Sequence, residues 1–342
     1  MGQYPVIDLH EDIAAYFILH GAGNPLGDFG KDVEGREADI PKYVKGNVKL
    51  VFAALFPGIE TFEPEESRKF YEVYGVWIPG VLVRSAFSLV WEQLRVYYRL
   101  SEVYDEFKLI LTYDDAERVL RDPKSIGLLI HLEGADVIDD PYDLTLWHKL
   151  GLRSLGITWN HSNKYGTGCS ERRDLGLSSL GEELVRQANR LGIIVDLAHA
   201  SKKTVLDVLE VSKKPIMISH TNIRKFVDTP RNIDDEILEA VYKNKGVVGI
   251  SCIGPLIKPK GRPSIDDLVE HFMYVYKRYG AEILAIGTDF LGLLGLPSPK
   301  GLGNIGLIQD LLRKLADKGL SDNDIKKIAY ENALRILRSN LT

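Results

Sequence analysis

The chain has 342 residues, of which 45% are hydrophobic and 27% charged, and its formal net charge is -5. This composition is ordinary for a globular protein, and the negative charge provides no electrostatic basis for binding nucleic acid. No apolar run approaches the roughly eighteen residues that a membrane span needs, and no secretory signal is recognisable. We therefore expect a cytoplasmic protein with neither a membrane nor a nucleic-acid partner.

The first half of the chain predicts three parallel strands. Residues 5–10 (PVIDLH) form the first strand, residues 48–55 the second and residues 126–133 (IGLLIHLE) the third. All three are apolar almost throughout, as expected for strands covered on both faces. Between the second and third strands, residues 57–125 are predicted as a helical insertion. Its predicted elements are helices at 65–74 and 86–107, a short strand from Leu109, and a helix capped near Asp114 or Asp115.

The second half predicts five further strands, each followed by a helical pattern. These strands end near Trp159, at His199, at His220, at Ser251 and at Asp289. A capping box of Ser179 and Glu182 is expected to start one of the intervening helices, and Ser321 is expected to cap a later one. Eight alternating strand and helix units predict a single (β/α)8 TIM barrel with extra helices over residues 1–342.

Polar residues occur where the predicted strands end. They are His10 and Asp12 after the first strand, Glu133 at the third, His161 after the fourth, His199 and His220 at the fifth and sixth, and Asp289 at the eighth. A single histidine at a strand end is more often a hydrogen-bonded residue than a ligand, and Glu133 alone is about as often ion-paired as metal-bound. Because the carboxyl ends of all barrel strands open at one mouth, however, we expect these side chains to converge there.

The converging set is a mixed nitrogen and oxygen donor set, which suits zinc, manganese, cobalt or iron. It contains more ligands than one catalytic zinc needs. Two metal ions bridged by a carboxylate would use them and would lower the pKa of a bound water. Glu133 is the natural bridge, because two histidines lie on one side of it and the pair His10 and Asp12 on the other. Cys169 and Cys252 are too far apart in sequence to suggest a thiolate site, although one disulfide stays open.

The motifs DLHED, HLEGAD, ITWNHSN, RLGIIVDLAH, PIMISHTN, TPRNI, GVVGIS, AIGTDF and ENALRIL follow one another along nearly the whole chain. In this order they resemble the membrane (renal) dipeptidase family, zinc dipeptidases of the amidohydrolase superfamily. The resemblance implies that His10 and Asp12 hold one zinc ion, that Glu133 bridges, and that His199 and His220 hold the other.

The same resemblance implies roles for three more residues. His161 would polarise the scissile carbonyl, Arg231 would bind the terminal carboxylate of the substrate, and Asp289 would carry the proton from the attacking water to the leaving amine. Two positions depart from the family pattern. Leu291 stands where an acidic residue is common, and Glu11 stands where relatives often have asparagine. Glu11 should point away from its neighbours, so we expect little effect on metal binding.

The leading hypothesis is a metal-dependent dipeptidase that uses a hydroxide bridging two zinc ions, with Mn2+ or Co2+ as alternative metals and L-D dipeptides among the candidate substrates. A second hypothesis is another amidohydrolase reaction, namely a deaminase or the hydrolysis of N-acyl amino acids or lactams. One-metal deaminases usually carry H-x-H on the first strand, whereas this chain has His10, Glu11 and Asp12. The third hypothesis is a metal-binding barrel without catalytic turnover.

Aromatic residues on the helix predicted at 86–107 suggest a homodimer contact.

Overall fold

The computed structural model describes residues 3–19, 25–57, 86–293 and 295–341. In this part of the chain, nine parallel strands form one sheet in the order β2-β1-β9-β8-β7-β6-β5-β4-β3, and a further pairing joins β2 to β4. The strands are β1 (Val6–Glu11), β2 (Val48–Leu55), β3 (Phe107–Leu109), β4 (Ile126–Leu132), β5 (Leu152–Gly156), β6 (Ile194–Asp196), β7 (Met217–Thr221), β8 (Val247–Ile250) and β9 (Leu284–Ile286).

The pairing of β2 with β4 closes eight of these strands into a barrel. β3 stays outside the closed cycle. It pairs with β4 over Ile126–Leu128, whereas β5 pairs with β4 from Ile130 onwards. The predicted (β/α)8 barrel is therefore confirmed. The ninth strand lies in the insertion as predicted, but it ends at Leu109, where the predicted strand was to begin.

Helices connect the strands and cover the outside of the barrel. They are α1 (Ile13–Leu19), α2 (Pro25–Asp28), α3 (Ile40–Gly46), α4 (Ala86–Val103), α5 (Tyr113–Arg121), α6 (Leu144–Lys149), α7 (Ser179–Leu191), α8 (Lys202–Val211), α9 (Asp235–Asn244), α10 (Gly254–Ile257), α11 (Ile265–Tyr279), α12 (Ile308–Asp317), α13 (Asp322–Lys326) and α14 (Asn332–Asn340). No described helix is long and apolar enough to cross a bilayer. The cytoplasmic location stays a prediction.

Two predicted helix caps were misplaced. The cap of α7 is Ser178, whose side chain accepts from the N–H of Gly181, and not Ser179. α5 begins after Thr112, which forms a capping box with Asp115. In both cases several polar residues stand in a row, and only the backbone conformation selects the one that caps. The predicted cap at Ser321 is confirmed.

Several predicted elements are longer than the observed ones. The helix predicted over 86–107 ends at Val103, because the chain then turns into β3. The strand predicted to end near Trp159 stops at Gly156. The predicted helix at 65–74 lies outside the described residues.

The homodimer contact predicted for α4 stays a prediction. Two aromatic side chains of this helix, Phe87 and Trp91, are 53% and 42% exposed.

The strand β4 shows how the sheet separates core from site. Its residues Leu128, Ile130 and Leu132 belong to the buried cluster shared with the helices. Leu129 belongs to a second cluster with Ile7, Leu9, Leu50 and Phe52 of the neighbouring strands. Because side chains alternate along a strand, Glu133 follows Leu129 and His131 on the face turned away from the first cluster. This alternation carries the carboxylate to the barrel mouth.

Candidate metal centre

The barrel mouth holds a cavity of about 180 Å³. Five of the predicted site residues line it: Asp12, Glu133, His199, Arg231 and Asp289. Each comes from a different strand end or the loop after it. The site therefore depends on the closed barrel. Asp12 and Asp289 are far apart in the chain and meet only because β1 and β9 are neighbours in the sheet.

Glu133 lies at the centre of the cluster. Its Oε1 is 2.9 Å from His199 Nε2, 3.3 Å from His220 Nε2 and 3.7 Å from His10 Nε2. Its main-chain N–H donates to the carbonyl of Leu55 at 3.0 Å, which fixes the end of β4 against β2. One carboxylate oxygen thus faces three imidazoles from three strands.

Two groups of side chains have the spacing of a metal site. His10, Glu133 and His220 form one, and His10, Asp12 and Asp289 form the other. In each group the potential ligand atoms lie within 4.8 Å of one another, and every residue is buried. Asp289 was predicted as a proton carrier and substrate-binding residue and not as a metal ligand. Its Oδ1 is nevertheless 3.8 Å from His10 Nε2, and Glu133 Oε1 is 3.7 Å from the same nitrogen. Geometry alone therefore also admits Asp289 as a ligand.

Hydrogen bonds determine which nitrogen of His199 is protonated. Arg231 Nη2 lies 2.9 Å from His199 Nε2, and a guanidinium can only donate, so Nε2 is the acceptor. On the other side of the ring, Nδ1 lies 2.6 Å from Asn160 Oδ1, an atom that only accepts, so Nδ1 carries the proton. The Nε2 lone pair, which accepts the N–H of Arg231, therefore belongs to the atom that also faces Glu133 Oε1 and His220 Nε2.

The atoms facing one another in this cluster are acceptors. His199 Nε2 lies 2.9 Å from His220 Nε2, and both face Glu133 Oε1. Buried lone pairs at such distances repel unless a proton or a cation lies between them. In addition, His10 Nδ1, His10 Nε2 and Asp12 Oδ1 are buried without a hydrogen-bond partner among the described residues. This donor set fits a divalent cation bound by nitrogen and oxygen.

The acid-base properties of the cluster support the same conclusion. Burial raises the pKa of Glu133 well above its usual range and the pKa of Asp289 to about 8. Burial opposes protonation of His10, but nearby carboxylates, led by Glu133, outweigh it and raise the pKa of His10 to about 10. A bound cation must displace these protons, so metal affinity rises with pH. Burial lowers the pKa values of His199 and His220, which favours neutral imidazole ligands.

Strained backbone positions surround the mouth. His199, Asp289 and Leu291 have φ values of 65°, 62° and 65°, which non-glycine residues rarely adopt. Such conformations cost on the order of 1–3 kcal/mol each and persist where the surroundings enforce them. A Cβ on Gly292 would lie 2.1 Å from Asp12 Oδ2 and 2.6 Å from Asp289 Oδ1, so a larger residue there would displace the two carboxylates. The turn after β9 thereby brings Asp289 next to Asp12.

His161 is the one predicted site residue placed apart from the others. Its side chain is 46% exposed, and its Nδ1 lies 3.7 Å from Glu171 Oε1 at the rim of the mouth. Its neighbours Trp159 and Asn160 line the cavity instead. The carbonyl-polarising role of His161 stays a prediction.

Sequence reasoning missed several residues of the cavity. Asn160 orients His199, and the apolar side chains of Phe56, Ile253 and Leu256 form part of the lining. Phe56, Ile253 and Leu256 follow barrel strands, and this position is the signal that could have identified them.

Glu11 behaves as expected, because it turns away from the cavity and accepts a hydrogen bond from the hydroxyl of Tyr43. Cys169 and Cys252 are both buried and free, so they form no disulfide.

A closed parallel barrel with an imidazole and carboxylate cluster at its mouth defines a metal-dependent hydrolase. The family model described as membrane dipeptidase, peptidase family M19, matches residues 1–341. The chain belongs to this family. It is therefore a metallopeptidase of the dipeptidase class, and family membership implies metal ions and a dipeptide substrate.

Relatives agree with this assignment. An uncharacterized dipeptidase of Schizosaccharomyces pombe is 30% identical over 343 residues, which cover 97% of this chain and 79% of the relative. The dipeptidase tcpJ of Claviceps purpurea is 29% identical over 90% of this chain and 70% of its own length. A third match is the crystal structure of a Rhodobacter sphaeroides metallopeptidase liganded with a phosphinate mimic of the dipeptide L-Ala-D-Ala. The structural match covers 99% of this chain and 100% of the other chain. The two structures superpose with a TM-score of 0.83 at 22% identity, which supports the fold.

Proposed function

We propose that this protein hydrolyses the peptide bond of dipeptides with two zinc ions at the barrel mouth. His10 and Asp12 would hold one ion, His199 and His220 the other, and Glu133 would bridge them. The observation that carries this proposal is the position of Glu133 Oε1, 2.9 to 3.7 Å from three imidazole nitrogens. Mn2+ and Co2+ accept the same ligands, so the metal itself is part of the test.

When bound, the two ions supply a hydroxide nucleophile at neutral pH and stabilise negative charge on the scissile carbonyl. The protein side chains then manage protons and orientation. Asp289 accepts the proton of the attacking water and returns it to the leaving amine, a task favoured by a carboxyl whose pKa burial raises to about 8. His161 would donate a hydrogen bond to the developing oxyanion from the rim.

Arg231 selects substrates with a free carboxyl terminus. Its guanidinium reaches the cavity from the loop after β7 and is anchored there by donating to the carbonyl of His220 at 2.8 Å. A guanidinium binds a carboxylate through two parallel hydrogen bonds. The restriction to short substrates follows, because the terminal carboxylate must lie close to the metal cluster.

The substrate side chains face a largely apolar lining. Among the described residues, the apolar part of this lining consists of Ala15, Phe56, Ile253, Leu256 and Leu291. We therefore propose small apolar dipeptides as substrates. Acceptance of a D-residue at the second position is part of this proposal, supported by the dipeptide mimic bound to the Rhodobacter sphaeroides relative.

The proposal predicts that purified protein contains two zinc ions per chain and cleaves L-Ala-L-Ala and L-Ala-D-Ala. Removing the metal with a chelator should abolish hydrolysis, because the nucleophile depends on it, and adding Zn2+ should restore the rate. Metal analysis and release of free alanine measure both effects. Hydrolysis that persists in metal-free protein, or cleavage of N-acetyl-alanine but of no dipeptide, would contradict the proposal.

Replacing Arg231 by glutamine should raise the KM for a dipeptide by about 10- to 150-fold, which corresponds to a charged hydrogen bond of roughly 1.5–3 kcal/mol. The amide of the same dipeptide, which lacks the carboxylate, serves as the matched substrate. Arg231→Gln should leave its kinetics nearly unchanged. Equal losses on both substrates would mean that Arg231 acts by supporting His199 and not by binding the carboxylate.

A further inference from the structure

A buried chain of hydrogen bonds runs from His220 into the barrel wall. His220 Nδ1 lies 2.8 Å from Ser219 Oγ, and Ser219 Oγ donates to Asp196 Oδ2 at 2.5 Å. The three residues are 1%, 0% and 1% exposed. β6 provides Asp196 and β7 provides the other two, so the contact crosses between neighbouring strands.

The direction of this chain follows from counting hydrogens. A serine hydroxyl has one hydrogen, and Ser219 gives it to Asp196. Towards His220 the serine oxygen can therefore only accept, so His220 Nδ1 carries the proton. The Nε2 atom then presents its lone pair to Glu133, 3.3 Å away.

Asp196 is itself held in one orientation. Its Oδ1 accepts the main-chain N–H groups of Ala198 at 3.1 Å and of Ser219 at 2.8 Å. These partners donate, and His131 Nε2 lies 3.3 Å from Asp196 Oδ2, so the carboxylate is an acceptor between two strands and a second imidazole. Buried groups with complete hydrogen bonding of this kind keep one geometry.

We propose that Asp196 and Ser219 form a positioning relay that holds His220 in its metal-binding tautomer and thereby sets the affinity of the site for a divalent cation. The inference rests on the proposed metal-binding function of His220. Outer partners that take the second imidazole proton orient the ring and make it a stronger ligand, and their loss typically weakens metal binding about 10- to 100-fold.

The protein contains a matched control for this relay. Ser125, which directly precedes β4 at the end of the barrel opposite the mouth, donates from its Oγ to Asp122 Oδ2 at 2.5 Å and is 5% exposed. This distance equals that between Ser219 Oγ and Asp196 Oδ2, but neither Ser125 nor Asp122 belongs to a group of potential ligands or lines the cavity. Ser125→Ala removes the same kind of hydrogen bond between a serine and an aspartate without touching the metal cluster.

The test measures zinc affinity by competition with a chromophoric chelator, using the full chain stripped of metal. Ser219→Ala and Asp196→Asn should each weaken binding of one zinc ion about 10- to 100-fold. Ser219→Thr, which keeps the hydroxyl, should stay close to wild type, and Ser125→Ala should not differ from it. Equal weakening by Ser125→Ala, or wild-type affinity in Ser219→Ala, would overturn the relay.

A spectroscopic measurement keeps the proposal testable if the alanine variant does not fold. In metal-free wild-type protein labelled with 15N-histidine, we expect His220 in the Nδ1–H form, and a proton on Nε2 would overturn the proposal. These measurements need no hydrolysis. Zinc binding that depends on Ser219 in a protein that cleaves no dipeptide would therefore refute the proposed reaction and leave the relay intact.

Discussion

Replacing Glu133 by glutamine should lower kcat/KM for a dipeptide by about 10³-fold or more, together with the loss of at least one bound zinc ion. Among the described residues, this carboxylate lies within 4 Å of three imidazole nitrogens, at 2.9 to 3.7 Å, whereas Asp289 lies that close to two, those of His10 and His220. The amide keeps the shape but removes the charge that offsets two cations. A bound metal ion lowers the pKa of its water to about 7, so without it the hydroxide nucleophile becomes scarce at neutral pH.

The measurement combines steady-state kinetics with metal analysis of the same preparation. Glu117→Gln is the control, because Glu117 pairs with Arg121 on α5 and does not line the cavity. It should match wild type in both rate and metal content. If Glu133→Gln kept two zinc ions and a rate within a few fold of wild type, the bridging assignment would be wrong.

Asp289→Asn should lower kcat by about 10²- to 10⁴-fold while both zinc ions stay bound, which is the range expected for the loss of a general acid-base group. The asparagine can no longer accept the proton of the attacking water. Burial of Asp289 at the mouth, beside His10 and Asp12, is what adapts its pKa to this task.

Metal content decides between the two roles that the geometry allows for Asp289. Loss of hydrolysis with two zinc ions retained supports the proton carrier. Loss of one zinc ion would instead make Asp289 a ligand, in the group it forms with His10 and Asp12. Asp317→Asn, at the exposed end of α12, should change neither quantity, and unchanged hydrolysis in Asp289→Asn would exclude both roles.

Much of the fold could be predicted because local pattern determined it. Apolar runs at 48–55 and 126–132 have the length and composition of buried strands, and β2 and β4 appear where expected. Strand ends were less predictable. His199 lies three residues beyond β6 with φ 65°, because the chain must leave the strand early to turn the imidazole towards Glu133.

His10 and Asp12 are two residues apart, so regular strand alternation predicts both side chains on one face, but the structure brings them together differently. β1 contains a register shift between Asp8 and Glu11, and Asp12 lies just beyond the strand. The two side chains still meet, with His10 Nε2 3.4 Å from Asp12 Oδ2. The turn after β9 contributes to this contact, because Gly292 allows the backbone to pass close to the Asp12 carboxylate.

The sequence by itself determined that the chain is a parallel barrel and that His10, Asp12, Glu133, His199, His220 and Asp289 end or follow its strands. This is possible because hydrophobic period and strand-end position are local properties of the chain. Only the tertiary structure decided that Asn160, Ser219 and Asp196 orient the imidazoles and that His161 lies at the rim. Those contacts depend on the stagger between neighbouring strands and on loop conformations, and both are set by packing across the whole barrel.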